Sequence, residues 1–364
     1  MSSSRSVPRT MDDFARRSAS DRRVFIEEAA AQRDLTPIVI EKDFWVCWTL
    51  RRLGTAPDLE GHVTFKGGTS LSKAYAIIQR FSEDIDLTIR RTAPLLDQVA
   101  SPLEAGIGSN ERQRRTKALK AAAQTYVATI AMPALAAAIE TQLGKEGWSI
   151  ELDPEDRDCQ TILFNYPRTG AYNAVGYVER DYIADDEAGY IKPRIKLEFG
   201  ARGDPDPFED REIRPYLAEQ FPDALLDSST SVETLSVERT FWEKATILHA
   251  LHHNGKMRDG LSRHYYDMLM LDRAGITTPA LADPALLEQV VRNKSVMFAD
   301  ASASYATATL GTLRLTPSDR IRQALTSDYA AMADMFMVEP PSLTELLEGL
   351  ADLEQRINEV GSAS

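Results

Sequence analysis

The sequence predicts an α+β protein in which a mixed β-sheet is flanked by helices and followed by a mostly helical C-terminal region. Residues 63–90 run as strand, glycine turn, helix and strand, with Gly67-Gly68 at the turn and strict alternation after it. From Ser236 onward, apolar residues recur at helical spacing. Further strands are predicted at residues 148–152, 161–166 and 191–199.

The domain organisation follows from length and composition. The chain has 364 residues, of which 43% are hydrophobic and 27% charged, as is ordinary for a soluble globular protein. We expect an N-terminal helical extension (1–35), a core (36–230) and a helical C-terminal domain (231–364). The Pro- and Asp-rich stretch 201–230 is interpreted as the seam between the two halves.

The cellular location is predicted from what the sequence lacks. The N-terminal segment has no apolar stretch typical of a secretory signal, and no window is expected to reach the apolar length of a membrane helix. Cys47 and Cys159 fit no metal-binding spacing. These observations predict a cytoplasmic protein with free thiols and no membrane partner.

The net charge of −13 argues against a protein that coats nucleic acid by bulk electrostatics. A local basic cleft remains compatible with it, and so does docking with a basic partner protein. Basic runs occur at Arg51-Arg52 and within residues 112–120. The second run could contact phosphate or form a solvated helix face.

The segment Asp84–Ile89 carries the main chemical signal. Strand alternation places Asp84 and Asp86 on one face and the intervening apolar side chains on the other. Carboxylate oxygens hold Mg²⁺, which neutralises nucleotide phosphates, and a glycine turn with a helix N-terminus can cradle the same phosphates. Thr69 or Ser70 is expected to cap that helix, which is predicted to extend to Ile78.

The runs Phe65-Lys66-Gly67-Gly68-Thr69-Ser70-Leu71 and Arg80-Phe81-Ser82-Glu83-Asp84-Ile85-Asp86-Leu87 resemble the signature of the AbiEii/AbiGii toxin family. This family is a branch of the polymerase-β-like nucleotidyltransferase superfamily, whose core fold the resemblance implies here. The glycines and the acidic pair are farther apart than is usual in the superfamily. AbiEii-like proteins tolerate this spacing, with a longer helix between the two motifs. The resemblance covers roughly residues 36–270 and leaves out the C-terminal helices.

The resemblance also implies roles for particular residues. Mg²⁺ (or Mn²⁺) is expected at three carboxylates: Asp84, Asp86 and Glu198. The phosphates of a nucleoside triphosphate (NTP) are expected at Lys66, Gly67, Gly68, Thr69, Ser70, Lys244 and Arg263. Lys196 and Asp267 complete the predicted catalytic set.

Structural alternatives exist for several of these residues. Lys196 and Glu198 could belong to an ordinary exposed strand, and Arg263 with Asp267 could form a plain i,i+4 salt bridge. Lys42, in a Glu-Lys-Asp element, could contact substrate or form a surface ion pair. The remaining cluster is interpreted as exposed helix-end histidines that stabilise the helix C-terminus, not as a metal site: His249, His252 and His253.

The resemblance implies a toxin that transfers a nucleotide from an NTP to RNA, plausibly the tRNA 3′ end, and that is neutralised by a cognate antitoxin. Two alternatives remain open from the sequence. The same fold could modify a protein or small molecule, or it could be a non-enzymatic nucleotide- or protein-binding module.

Overall fold

The computed structural model describes residues 9–82, 84–173, 176–178 and 192–362. Glu83 of the predicted motif and Ile191, where a strand was expected to begin, lie outside these residues. The same is true of the first eight residues of the predicted N-terminal extension.

A seven-stranded mixed sheet forms the centre of the protein, with the strand order β3-β4-β7-β2-β1-β9-β8. Strands β7 and β2 pair in parallel, as do β1 and β9, and the other neighbours are antiparallel. Strands β5 and β6 form a separate hairpin. The strands are β1 (Val63–Lys66), β2 (Asp84–Ile89), β3 (Ser149–Leu152), β4 (Thr161–Asn165), β5 (Ala171–Asn173), β6 (Gly176–Val178), β7 (Ile195–Gly200), β8 (Phe208–Ile213) and β9 (Thr230–Leu235).

Helices cover the sheet and make up most of the C-terminal third. They are α1 (Met11–Ala15), α2 (Ala19–Arg33), α3 (Pro37–Thr55), α4 (Gly67–Lys73), α5 (Ser109–Tyr126), α6 (Met132–Leu143), α7 (Tyr216–Gln220), α8 (Val237–Asn254), α9 (Ser262–Arg273), α10 (Thr277–Ala282), α11 (Pro284–Met297), α12 (Asp319–Ala331) and α13 (Leu343–Ser362). The predicted α+β class is confirmed.

Two strands at one edge of the sheet, β8 and β9, were not predicted. Strand β8 has the sequence FEDREI, and its side chains are mostly exposed, so it lacks the apolar alternation that marks a half-buried strand. Strand β9 pairs with β1 through Phe65 and Thr234, and it lies on the C-terminal side of the boundary predicted at residue 230. The stretch 201–230 therefore supplies part of the sheet.

The helix after the glycine turn differs from the expected one. It begins at Gly67, with Lys66 at the N-cap position, and it ends at Lys73, so Thr69 and Ser70 lie inside it and cap nothing. The longer helix to Ile78 is wrong, because the backbone at Ala76 takes a positive φ of 53° that breaks helical geometry. An irregular segment therefore spans most of the distance between the turn and β2.

The apolar face of the sheet packs on the N-terminal helices and on α5 and α6. Ile85 and Leu87 of β2 and Leu197 of β7 point into this first core, together with both buried tryptophans of α3, Trp45 and Trp48. The predicted alternation of β2 and β7 is thus confirmed. Since successive side chains of a strand point to opposite faces, the acidic residues of these strands lie on the other side of the sheet.

A second core joins the C-terminal helices α8 to α13, and it includes two side chains from the segment after the glycine turn. Leu71 of α4 and Ile78 are almost fully buried in it. Ser236 caps α8 as predicted, because its hydroxyl accepts a hydrogen bond from the backbone N–H of Arg239. The polar face of the sheet is therefore bordered by the helices of this second core.

Pro133 lies near the start of α6, within a long helical stretch. Residues 127–131 form a π-helical turn between α5 and α6, and the backbone N–H of Met132 bonds to the carbonyl of Val127. A wide turn of this kind accommodates the missing N–H of proline without ending the helix.

The continuous stretch Ser109–Leu143 is long and apolar enough to cross a membrane by length and composition, with a window of mean hydropathy 1.4. The prediction that no window reaches this length is therefore wrong. The alanine content of α6 raises the hydropathy, and 33% of the window is buried inside the protein. Leu119, Tyr126 and Leu135 of this stretch pack into the first core.

Acidic partners neutralise most of both basic runs. Arg51 pairs with Asp227, and Arg52 pairs with Asp12. In the second run, Arg114 and Arg115 both bond to Glu111, and Lys120 pairs with Asp158. The solvated-face interpretation of residues 112–120 is therefore the one that these contacts favour.

The Glu-Lys-Asp element of α3 is buried, so the surface ion pair considered for Lys42 is wrong. The Nζ of Lys42 donates to the carbonyl of Lys192 at 2.6 Å. The carboxylate of Asp43 lies 2.7 Å from the Nζ of Lys73, and both side chains are at most 5% exposed. The ammonium of Lys73 also lies 3.6 Å from the ring centroid of Tyr216. This ion pair ties the end of α4 to α3.

We expect Lys73→Met to lower the free energy of unfolding by about 3–5 kcal/mol, because it leaves the Asp43 carboxylate buried without its counter-ion. Urea unfolding would measure the change. The double variant Lys73→Met/Asp43→Asn should recover part of the loss, and Lys145→Met, at a side chain that is 83% exposed, should change stability little. A single variant as stable as the control would contradict a structural role for the pair.

Candidate active site

The glycine turn packs directly against the acidic strand. Gly67 has a φ of +84°, and a Cβ there would lie 1.9 Å from the Oδ2 of Asp86. A Cβ at Gly68 would lie 2.7 Å from both the Nη2 of Arg80 and the Oγ of Ser82. Both positions therefore exclude any side chain, one through conformation and contact and the other through contact alone.

Gly67→Ala should lower the free energy of unfolding by about 1–3 kcal/mol and reduce activity, because the new methyl group strains the backbone and displaces Asp86. Gly61→Ala is a matched control, since Gly61 has a φ of +70° but no atom within 4 Å of the place where the new methyl group would lie. Urea unfolding measures both variants. Equal losses of stability would show that contact with Asp86 contributes nothing.

Three carboxylates lie on the polar face of two neighbouring strands. Asp84 and Asp86 alternate along β2, and the parallel register places Lys196 opposite Asp84 and Glu198 opposite Asp86. Neighbouring strands are about 4.8 Å apart, so Asp86 and Glu198 lie side by side. The structure thus brings together the acidic residues and the lysine that the sequence selected.

The carboxyl of Asp86 resists ionisation. Burial raises its pKa, as does the nearby charge of Glu198 and, to a smaller extent, that of Asp84, while Lys66 and Arg263 oppose the rise. The resulting pKa is about 6, well above the ordinary value of 3.8. Crowded negative charge of this kind favours a bound cation.

Glu198 is engaged by its neighbour on the same strand. Its Oε1 accepts a hydrogen bond from the Nζ of Lys196 at 2.5 Å, and both side chains are more than one-third exposed. Partial burial lowers the pKa of Lys196, but this hydrogen bond and the charges of Glu198 and Asp84 outweigh that effect and raise the pKa above its ordinary value. Within the part of the chain that the structure describes, no three acidic, histidine or cysteine side chains lie close enough to hold a metal ion as they stand.

The hydroxyls of Thr69 and Ser70 brace the turn. Thr69 is fully buried and donates to the carbonyl of Asp84 at 2.5 Å, and its Oγ1 lies 3.0 Å from the Oγ of Ser82. Ser70 is also buried and donates to the carbonyl of Gly67. These side chains face inward, so any contact of this segment with phosphate falls to its backbone.

Asp267 lies at the centre of a buried ionic cluster beneath the turn. Its two carboxylate oxygens accept 2.8 Å hydrogen bonds from the Nε and Nη2 of Arg80, and Oδ2 also lies 2.7 Å from the Nζ of Lys244. Burial alone would raise the pKa of Asp267, but the charges of Arg80 and Lys244 hold it well below its usual range. The i,i+4 salt bridge with Arg263 is not among the ion pairs of the described residues, because Asp267 turns toward Arg80 instead.

Lys244 and Arg263 are placed differently, although the sequence predicted phosphate contact for both. Lys244 is 5% exposed, and burial lowers its pKa despite the nearby charge of Asp267. Arg263 is partly exposed, and its charge lowers the pKa of Asp86. Arg263 thus borders the acidic site, and Lys244 supports it from below.

Sequence reasoning missed four charged residues around the site. Arg80 belongs to the quoted motif but received no role, and its contact with Asp267 spans 187 residues. Glu243 directly precedes Lys244 in the chain, and its Oε2 lies 4.0 Å from the Nζ of Lys66. The other two are Arg239 and Lys294. No local pattern in the sequence distinguished them from ordinary charges on a helix surface.

Among the histidines of α8, His249 lies inside the protein. His249 is buried, its Nδ1 accepts a hydrogen bond from the backbone N–H of Arg314, and its Nε2 lies 3.1 Å from the carbonyl of Ser304. Burial lowers the pKa of His249 to about 4, and it lowers that of His253 as well. The prediction of exposed His⁺ side chains is therefore wrong for His249, whereas His253 is exposed.

A glycine turn packed on an Asp-x-Asp strand, with a third carboxylate on the adjacent strand, is the arrangement of a nucleotidyltransferase. The profile of the family described as "Nucleotidyl transferase AbiEii toxin, Type IV TA system" matches residues 48–356. The chain belongs to the AbiEii family, and it is a nucleotidyltransferase toxin of a type IV toxin–antitoxin system. The match includes the C-terminal helices that the sequence resemblance left out.

Among solved structures, the chain is similar to MenT4, a nucleotidyltransferase toxin from Mycobacterium tuberculosis H37Rv. The identity is 14% and the TM-score 0.37, over 91% of this chain and 98% of that one. A likeness at this level supports no conclusion about individual residues. No curated protein matches the chain in sequence.

Proposed function

We propose that the protein transfers a nucleotide from an NTP to an RNA acceptor, the 3′ end of a tRNA, and releases pyrophosphate. The observation that carries this proposal is the row of Asp84, Asp86 and Glu198 beside the Gly67-Gly68 turn. The cytoplasm is the proposed location, where NTPs and tRNA are both present. A cognate antitoxin is the partner that the family implies.

The acidic residues fit a divalent cation in their chemistry. All three are hard oxygen donors of the kind that Mg²⁺ or Mn²⁺ prefers, and burial together with the charges of Glu198 and Asp84 raises the pKa of Asp86 to about 6. Asp84, Asp86 and Glu198 would hold the ion. Bound there, it would neutralise phosphate charge and lower the pKa of a hydroxyl group.

The chain's own residues position the reactants. The acceptor hydroxyl attacks the α-phosphorus, a new P–O bond forms, the bond to the β-phosphate oxygen breaks, and the hydroxyl proton passes to a nearby carboxylate. Lys196 and Arg263 border the acids and offset the charge of the phosphates. Positioning and charge neutralisation account for most of the rate enhancement in reactions of this type.

The acceptor rests on the family resemblance and on the distribution of charge. Ion pairs occupy most of both basic runs, and the net charge is −13, so RNA binding has to rely on cations close to the acidic row. Lys196 is more than one-third exposed there and Arg263 is partly exposed. A local grip of this kind suits one RNA end better than a long duplex.

The test is incubation with each α-³²P-labelled NTP, Mg²⁺ and either total RNA or total protein. We expect the label in small RNA, in bands of tRNA length, and none with a variant at Asp86. Label in protein would support modification of a protein instead. Label in neither fraction, with bound NTP still detectable, would support a non-enzymatic binding module.

A further inference from the structure

Next to the acidic row lies a group of charges that makes few close contacts. We call it the cationic cluster, and it consists of Lys66, Arg239 and Lys294 around Glu243. The Oε1 of Glu243 lies 3.6 Å from the Nε of Arg239, and its Oε2 lies 4.0 Å from the Nζ of Lys66. The charge of Lys294 on α11 also acts on Glu243 and lowers its pKa, as do the charges of Lys66 and Arg239, against the effect of burial. Three cations thus act on the carboxylate of Glu243.

The donors of the cluster are buried but incompletely bonded. Arg239 is fully buried, yet its Nε and Nη2 form no hydrogen bond within the part of the chain that the structure describes. The hydroxyls of Thr64 and Thr88, on the sheet, are also buried and form no hydrogen bond within the described residues. The Nζ of Lys66 and the Oγ1 of Thr88 both border Gly203, where a Cβ would be 3.2 Å from the first atom and 3.0 Å from the second. A buried donor without an acceptor is costly, so these groups favour a ligand that supplies acceptors.

The Asp267 cluster is also a buried group of charges, but its contacts are shorter than those of the cationic cluster. In that cluster, Arg80 and Lys244 reach both carboxylate oxygens at 2.7–2.8 Å. In the cationic cluster, Nη1 of Arg239 donates to the carbonyl of Asp206, but the carboxylate contacts are longer: 3.3 Å from Arg239 to Asp204, 3.6 Å from Arg239 to Glu243 and 4.0 Å from Lys66 to Glu243. Counting Asp204 and Glu243 against the three cations leaves one net positive charge. The cations of the Asp267 cluster thus form short ion pairs, whereas the cationic cluster has buried donors that lack an acceptor within the described residues.

The position of the cluster relative to the acids indicates what it would bind. Lys66 lies opposite Asp86 on β1, whereas Glu198 lies opposite Asp86 on β7. The cluster and the third carboxylate are therefore on opposite sides of Asp86. Lys66 remains 26% exposed and Glu243 15% exposed, so the cluster is open to solvent at this side.

We propose that Lys66, Arg239 and Lys294 form an oligophosphate subsite that holds the β- and γ-phosphates of the NTP and then the pyrophosphate product. Phosphate oxygens only accept hydrogen bonds and carry several negative charges, which matches what the cluster lacks. The acceptor would approach from the Glu198 side. The inference rests on the proposed function, to which it adds Arg239 and Lys294 as phosphate-binding residues.

The experiment is isothermal titration of the full chain with inorganic tripolyphosphate, which has neither base nor sugar. The variant is Lys294→Met, which keeps the length of the side chain, and the control is Lys145→Met on the surface. We expect the dissociation constant to rise about tenfold or more for Lys294→Met and to stay unchanged for the control, as for loss of one charged hydrogen bond. Binding of a nucleoside monophosphate should be the same in all three proteins, because it lacks the outer phosphates.

Equal tripolyphosphate affinity in wild type and Lys294→Met, with thermal melting showing both folded, would overturn the subsite. Absence of tripolyphosphate binding to the wild type would do the same. A parallel loss of nucleoside monophosphate binding would also overturn it, since that pattern indicates general disruption of the site. Failure of the wild type to transfer label, with tripolyphosphate binding that depends on Lys294, would instead refute only the proposed reaction.

Discussion

Asp86→Asn is expected to abolish nucleotide transfer and, at the same time, to stabilise the fold. Transfer should fall by about 10³-fold or more, since one carboxylate of the acidic row supplies several kcal/mol of charge neutralisation through the bound cation. The free energy of unfolding should rise by roughly 1–2 kcal/mol at pH 7, because an uncharged amide avoids the cost of burying a carboxylate beside Glu198 and Asp84, which raises the pKa of Asp86 to about 6. Labelled-NTP transfer and urea unfolding without divalent ions measure the two effects.

The stabilisation should depend on pH in a defined direction. The pKa of Asp86 is about 6 in the folded state and 3.8 in the unfolded state, so ionisation of Asp86 destabilises the folded wild type. The destabilisation is fully present above pH 6 and disappears as the pH falls to 3.8. The gap between variant and wild type should therefore narrow between pH 7 and pH 5. Asp210→Asn, at an exposed position on β8, should change stability by less than about 0.5 kcal/mol, and His253→Ala should leave activity nearly intact. A His253 variant as inactive as the Asp86 variant would refute the assignment of the site.

Asp267→Asn is expected to be among the most destabilising single changes in the protein. The substitution leaves Arg80 and Lys244 buried without a counter-charge, which costs about 3–5 kcal/mol. Activity should fall as well, because Arg80 packs against Gly68 of the turn. Urea unfolding at pH 7 measures the loss.

A control on the same helix separates this effect from loss of an ordinary carboxylate. Asp272→Asn removes an ion pair with the half-exposed Arg356, while the amide oxygen can still accept the hydrogen bond of Thr277, so the change should cost about 1 kcal/mol, well below the loss at Asp267. The pKa of Asp267 is depressed, so its stabilising effect is fully present above pH 3.8 and is lost only as the pH falls through the lower folded value. The difference between wild type and Asp267→Asn should thus remain constant from pH 8 to pH 5. A variant as stable as the Asp272 control would contradict the ionic cluster.

The sequence predicted those parts of the site that depend on local periodicity. The alternation of β2 and β7 was sufficient to place Asp84, Asp86 and Glu198 on one face, since a strand has a fixed side-chain period. The inward rotation of Thr69 was not predictable in this way, because it depends on contacts with Ser82 and with the backbone of β2. Edge strand β8 was missed for a related reason, since its exposed charged side chains remove the pattern that identifies a strand.

The partners of Asp267 show the same limit more clearly. The spacing of Arg263 and Asp267 suggested a pair within one helix, but the carboxylate binds Arg80, which is 187 residues away in the chain. Lys244 completes the cluster from another helix, 23 residues away. Contacts between distant segments depend on how the two cores pack, and no local window of sequence contains that information.

The segment that follows the glycine turn is shared between two parts of the protein. Lys73 forms an ion pair with Asp43 of α3, whereas Leu71 and Ile78 are buried among the C-terminal helices. A fragment cut after β9 would therefore expose these two apolar side chains and strip Arg80 of its carboxylate partner. Truncation at that point would therefore disrupt the glycine turn, because the C-terminal helices both hold the turn in place and supply Arg263 and Asp267 to the site.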